Sequence, residues 1–139
     1  MTARHSLIAA AVLLAAVAAS AAESPPVSKP VDSAQAMRDR MDRNVDGKIS
    51  LEEYRNAMVR RFGARDLNDD GVLEGDEFPK EWVAGADVQE ATGKVSFEQF
   101  TAELPLVFAG FDADKDGQLD ATETAVFASA RKTREESRP

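Results

Sequence analysis

Four short segments of this chain repeat one pattern, and that repeat constrains the fold more than any other feature. They align on a central glycine. The first runs Asp46-Gly47-Lys48-Ile49-Ser50-Leu51-Glu52-Glu53-Tyr54, and the second Asp70-Gly71-Val72-Leu73-Glu74-Gly75-Asp76-Glu77-Phe78. The third runs Thr92-Gly93-Lys94-Val95-Ser96-Phe97-Glu98-Gln99-Phe100, and the fourth Asp116-Gly117-Gln118-Leu119-Asp120-Ala121-Thr122-Glu123-Thr124. The glycines are 24, 22 and 24 residues apart. Each copy has an apolar residue two positions after its glycine and an acid or amide six positions after it. Between the copies, apolar residues recur at helical spacing. Leu51, Tyr54, Met58 and Phe62 form one stripe, and Phe97, Phe100, Leu104, Val107, Phe108 and Phe111 form another behind Val95. Val126, Phe127 and Ala130 continue after the fourth copy. These side chains are expected to pack as core. Pro105 is expected to kink or break its helix, and Gly85 to end early the helix that carries Trp82.

Three copies extend backwards into the full pattern D-x-[DN]-x-[DN]-G-x5-E, the signature of a calcium loop. The first supplies Asp42, Asn44, Asp46, Gly47 and Glu53. The second supplies Asp66, Asn68, Asp70, Gly71 and Glu77, and the fourth Asp112, Asp114, Asp116, Gly117 and Glu123. A single match arises by chance on the order of once in 10^5 start positions, so three in step are no accident. The chemistry accounts for the residue types. Calcium is a hard cation that takes six to eight oxygens at about 2.3–2.6 Å. Short acids and amides at positions one, three and five wrap round it, and glycine at position six makes the sharp turn. Position seven gives only its backbone carbonyl (Lys48, Val72, Gln118). Position nine often acts through water (Ser50, Glu74, Asp120). The long glutamate at position twelve binds with both oxygens. The apolar position eight (Ile49, Leu73, Leu119) is placed to pair as a short strand with another loop.

The third copy departs from this pattern. Its positions one, three, five and twelve are Val88, Glu90, Thr92 and Gln99. Too little negative charge is left to offset dehydration of the ion. The third copy is therefore expected to keep the loop fold, bind no calcium and serve as structural partner to a working loop. Net charge within the twelve residues ranks the others at −2, −6 and −4 for the first, second and fourth loops. The first is expected to bind most weakly.

The rest of the chain narrows the function. Arg4 and His5 precede an apolar run from Leu7 to Ala19, and small residues follow through Ala22. This order reads as a secretory signal over residues 1–21. An uncleaved anchor or a buried helix is the alternative, although the run is shorter than the roughly 20 residues of a membrane span. Residues 22–32 hold Pro25, Pro26 and Pro30 and read as a linker. Residues 33–130 form the repeat domain, and the charged residues 131–139 are expected to fray. The whole chain carries a formal charge of −8, or about −9 without the leader, which disfavours nucleic acid and anionic lipid. It has no cysteine, and its single histidine is His5. The mature chain thus lacks disulfides, thiol and imidazole chemistry and the usual zinc ligands. No catalytic residue is expected.

Through these loops the chain resembles the EF-hand superfamily over nearly all of residues 33–130. The resemblance implies an all-α fold of helix–loop–helix units with short β pairing between loops, and calcium as cargo. The loops stand closer together than in a standard pair, so one hand's exit helix must double as the next hand's entry helix. That compressed spacing is similar to small exported bacterial members, including lanmodulin, a lanthanide binder. Position two here is Arg43, Leu67 or Ala113 rather than proline. The leading expectation is an exported protein, periplasmic or secreted, that binds about three calcium ions as a buffer or calcium-ordered module. The alternatives are a sensor that docks on an unidentified protein partner, its groove lined by Trp82, Phe97 and Phe108, and a lanthanide binder. The scarcity of methionine (Met37, Met41 and Met58 in the mature chain) weighs against a sensor.

Overall fold

The computed structural model describes residues 33–137. The expected signal at 1–21 and linker at 22–32 lie outside the described residues. The first helix, α1 (Ser33–Met41), runs into the first loop, whose short strand β1 (Ile49–Ser50) leads directly into α2 (Leu51–Arg65). The second loop contains β2 (Val72–Glu74) and closes on a 3-10 turn at Gly75–Glu77. An irregular connection then leads to α3 (Ala86–Thr92), β3 (Lys94–Ser96) and α4 (Phe97–Phe111). The fourth loop contains β4 (Gln118–Leu119) and is followed by α5 (Ala121–Ser137). The expected class, all-α with short inter-loop β pairing, is the one observed.

The strands decide which loops meet. β1 pairs antiparallel with β4, setting Ile49 opposite Leu119. β2 pairs antiparallel with β3, setting Leu73 opposite Val95. The first loop is therefore partnered by the fourth, and the second by the degenerate third copy. All four apolar position-eight side chains are at most 1% exposed. α2 and α4 connect these two pairs and pack on one another, while α1 packs on α5. A 15-residue helix rises about 22 Å, so the two pairs stand at opposite ends of α2 and α4.

Each end has its own aromatic cluster. Beneath the first and fourth loops, Tyr54 meets Phe108 and Phe127 with ring centroids 5.8 and 5.7 Å apart, and Phe111 meets Phe127 at 4.8 Å. Toward the other end, Phe100 packs against Phe62 at 5.2 Å and stacks on Trp82 at 4.9 Å, and Trp82 meets Phe78 edge-on. Met37, Met41 and Met58 are buried in the same continuous core.

Three expectations are corrected. Pro105 neither breaks α4 nor ends it. Leu104 and Phe108 are buried on either side of it, and their burial outweighs the roughly 3 kcal/mol that an interior proline costs. Trp82 belongs to no helix. Pro79 disfavours helical backbone at Phe78, which is extended (φ −83°, ψ 115°), so the second loop has a single 3-10 turn as its exit. The charged stretch from Arg131 continues α5 as helix to Ser137. Arg131 lies 3.5 Å from Glu81 and Arg134 2.7 Å from Glu90, which ties that helix end to the body of the molecule.

Candidate metal centres

The three intact loops share one hydrogen-bond scaffold. The position-one aspartate accepts from two backbone N–H groups. Asp42 Oδ2 takes Gly47 N–H at 2.8 Å and Oδ1 takes Asp46 N–H at 3.2 Å. Asp66 accepts likewise from Gly71 and Asp70, and Asp112 from Gly117 and Asp116. Position three (Asn44, Asn68, Asp114) accepts from the N–H of position five. Position five (Asp46, Asp70, Asp116) accepts from the N–H of position seven, which belongs to Lys48, Val72 or Gln118. These bonds curl each loop so that its acidic oxygens face inward. The position-six glycines hold φ between +76° and +84°. Position four is also left-handed, with φ +60° at Val45, +58° at Asp69 and +61° at Lys115. For a β-branched valine this is an outlier, and it strains the first loop alone.

The position-twelve glutamate closes each loop from the far side. Glu53 Oε1 accepts from Arg43 N–H at 2.8 Å, and Oε2 accepts from Ser50 N–H and from the Ser50 hydroxyl, both at 2.9 Å. Glu123 accepts from Ala113 N–H at 2.7 Å and Asp120 N–H at 3.0 Å, and Glu77 from Leu67 N–H at 3.1 Å and Glu74 N–H at 3.4 Å. Burial alone would push the Glu53 carboxyl up, but the N–H groups of Ser50, Arg43 and Asn44 and the Ser50 hydroxyl together hold it below the usual carboxylate range.

Oxygen spacing tests the fit to a metal ion. One carboxylate oxygen from each of Asp112, Asp114 and Asp116 lies within 4.8 Å of the others. Two oxygens on one calcium can stand at most about 4.6–5.2 Å apart, so the donor set fits. The first and second loops have Asn at position three, which brings an amide oxygen in place of a carboxylate. In the fourth loop the Asp116 N–H lowers the Asp114 carboxyl, yet burial and the charges of Asp116, Glu123 and Asp112 together raise it. Crowded anions of this kind are relieved by a bound cation. The ligands to an ion would be Asp42, Asn44, Asp46, the Lys48 carbonyl and Glu53 in the first loop. They would be Asp66, Asn68, Asp70, the Val72 carbonyl and Glu77 in the second, and Asp112, Asp114, Asp116, the Gln118 carbonyl and Glu123 in the fourth. At position nine, Ser50 and Asp120 are already engaged as helix caps, while Glu74 is exposed.

Two features escaped the sequence reading. Ser50-x-x-Glu53 is a complete capping box for α2, and Ser96-x-x-Gln99 is the same device on α4. The S-x-x-[EQ] spelling was there to be read. It shows that position twelve has two tasks, ligating the ion and starting the exit helix. Gln99 performs the second without the charge needed for the first. The other feature is a contact between loops. Lys48 Nζ lies 2.9 Å from Asp116 Oδ2, the position-five ligand of the fourth loop. The β1–β4 register sets the two loops side by side, and the pair raises the lysine and lowers the aspartate. Lys48 thus competes with an ion for Asp116. Changing Lys48→Gln is expected to tighten the fourth site roughly two- to fivefold, the scale of a solvent-exposed pair. Chelator-competition titration checks this, and an unchanged affinity would contradict it.

The third copy is corrected in part. It does serve as structural partner, through β3, but it does not keep the loop fold. Residues 86–92, which include its first five positions, form α3. With valine at position one, and with the Thr92 hydroxyl at position five turned back on the Val88 carbonyl, the segment hydrogen-bonds as helix. Gly93, at φ +77°, is the left-handed stop that caps it. Glu90, at position three, is drawn off to Arg134. Of the groove expected of a sensor, Trp82 and Phe108 are 2% and 3% exposed, and Phe97 alone is open, at 42%.

Residues 39–59 and 106–128 match the family model described as EF hand, which covers the first and fourth loops with their flanking helix turns. No curated protein matches the chain significantly. Among the described residues no helix is long and apolar enough to cross a membrane.

Proposed function

We propose that this member of the EF-hand superfamily, whose loops mark it as calcium-binding, fills three sites rather than two and acts outside the cytoplasm as a calcium buffer or calcium-ordered module. The observation that carries the reading is the shared scaffold. The second loop, which the family comparison does not cover, has the same position-one, -three and -five hydrogen bonds as the two loops that it does. It also carries the largest negative charge of the three, −6. The charge–apolar–small order of residues 1–22 supports export. Free calcium outside the cytoplasm reaches the range in which extracellular modules of modest affinity fill.

The buffer reading is favoured over the sensor because the chain is poor in the methionines that line a sensor's groove and, of the side chains named for one, only Phe97 is open. A sensor exposes an apolar groove on binding. Here Trp82, Phe100, Phe108 and the three methionines are all 5% exposed or less. The carboxylates most closely clustered are committed to the loops, so no catalytic role is assigned. Calorimetric titration of the mature protein with calcium, with magnesium and a lanthanide as competitors, is expected to give three ions per chain. An environment-sensitive dye should show no gain in exposed apolar surface. Two ions would leave one of the three intact loops empty, and a large dye response would favour the sensor.

A further inference from the structure

A basic cavity lies between α1, α2 and α5. It is open, has a volume of about 680 Å³, and adjoins a smaller recess of about 220 Å³ against Trp82. Arg40 of α1, Arg61 and Arg65 of α2 and Arg131 of α5 line both, and Glu81 is the acid common to both. Lys132 and Glu135 add one charge of each sign to the larger cavity. Five cationic side chains thus meet two anionic ones, in a chain whose formal charge is −8.

The arginines are poorly satisfied by the protein. Glu81 lies 3.5 Å from Arg131. Among the described residues no carboxylate lies within 4.0 Å of the Arg40, Arg61 or Arg65 guanidinium. Arg61 Nη1 has the thioether sulfur of Met58 at 3.7 Å, a weak acceptor for a charged donor. Arg61 and Arg131 are half-buried, while Arg40 and Arg65 are exposed. Four guanidinium groups drawn to one place repel each other, and the two inner ones also lose hydration. Planar guanidinium forks match the paired oxygens of a tetrahedral oxyanion, and a small, doubly charged ion can bridge several.

The geometry points to an anion site: this cavity binds a small, doubly charged oxyanion of the sulfate or phosphate class, held by Arg61 and Arg131 with Arg40 and Arg65 at the rim. The electrostatics agree. Burial, and then the neighbouring arginines, pull the Arg61 guanidinium below its usual value. Burial does the same at Arg131, though Glu81 partly opposes it. Glu81 holds part of the site as an internal competitor, so its removal should help the ligand. The proposal is independent of the calcium reading, because none of these side chains is a loop ligand.

Trp82, the single tryptophan, lines the smaller recess and reports on it. Sulfate is titrated into the calcium-loaded protein at constant ionic strength, with chloride as control, and Trp82 fluorescence is followed. A saturable change with sulfate and none with chloride is expected. Arg61→Gln should weaken binding at least tenfold (about 1.4 kcal/mol), and Glu81→Gln should strengthen it several-fold. Arg55→Gln removes the same charge elsewhere on α2 and should leave binding unchanged. The proposal is overturned by the lack of a saturable sulfate response, or by equal losses in Arg61→Gln and Arg55→Gln. Association with phosphatidylglycerol vesicles without a response to free sulfate would also overturn it.

Discussion

Changing Glu123→Gln is expected to empty the fourth loop, reducing the calcium stoichiometry from three ions to two while the fold stays intact. The site should lose affinity by at least about 100-fold, since even an outer-shell partner of a metal site is worth 10- to 100-fold. The carboxylate brings both charge and a second oxygen, and the amide brings neither. The fold should survive because the protein contains its own control. Gln99 stands at position twelve of the third copy and still accepts the Ser96 N–H at 3.0 Å to complete the capping box of α4. In Glu123→Gln the amide oxygen can accept the Asp120 N–H in the same way. What is lost in the metal-free protein is the bond to Ala113 N–H and the longer one to Asp114 N–H, the first worth about 0.5–1.5 kcal/mol, or somewhat more for a charged acceptor. Calorimetry on the matched series Glu53→Gln, Glu77→Gln and Glu123→Gln then orders the sites. The first loop should be weakest, with a net charge of −2 and with Val45 held at φ +60°. Stoichiometry that stays at three in Glu123→Gln would remove that glutamate from the ligand set. A tightest site that vanishes in Glu53→Gln would reverse the ranking.

The second large effect lies in the core. Phe100→Ala is expected to cost about 3–5 kcal/mol, the range for deleting a fully buried aromatic ring. Phe100 is 0% exposed, packs on Phe62 and stacks on Trp82, so its loss opens a cavity between α2, α4 and the loop that carries Trp82. Domain stabilities run from about 5 to 15 kcal/mol, so the metal-free variant should sit near its unfolding threshold. Calcium should restore much of the loss, because each site filled at 100 times its dissociation constant contributes about 2.7 kcal/mol to the folded state. Urea denaturation followed by helical circular dichroism, with and without calcium, measures both terms. Phe97→Ala is the comparison. Phe97 is 42% exposed and meets Phe62 edge-on at 5.2 Å, so its loss should cost far less. Equal midpoints for Phe100→Ala and the wild type would show that the ring does not hold the second end together.

The loops could be read from the chain because all of their chemistry is local. Twelve consecutive residues contain the oxygens, the left-handed glycine and the closing glutamate, and the side-chain bonds that shape each loop span at most ten positions. The stripe of Leu51, Tyr54, Met58 and Phe62 is just as local, and it became α2. The third copy was legible in composition but not in shape. Its charge deficit follows from Val88 and Gln99. Whether Gly93 turns a loop or stops a helix depended on what the residues before it could bond to, and the backbone took the helix. Pro105 and the charged stretch after Ala130 misled for a related reason. Local propensity argued against helix at both, while the burial of Leu104 and Phe108 beside Pro105, and the pairs that Glu81 and Glu90 make with α5, hold them in it.

Tertiary structure alone decided the pairing of the loops, the contact of Lys48 with Asp116, and the gathering of Arg40, Arg61, Arg65 and Arg131 round one cavity. Each of these joins residues from distant parts of the chain. Periodicity assigns a side chain to a helix face but does not say which other face it will meet. That is settled only when the helices pack, and the like charges then brought together are ones that no local pattern would have placed side by side.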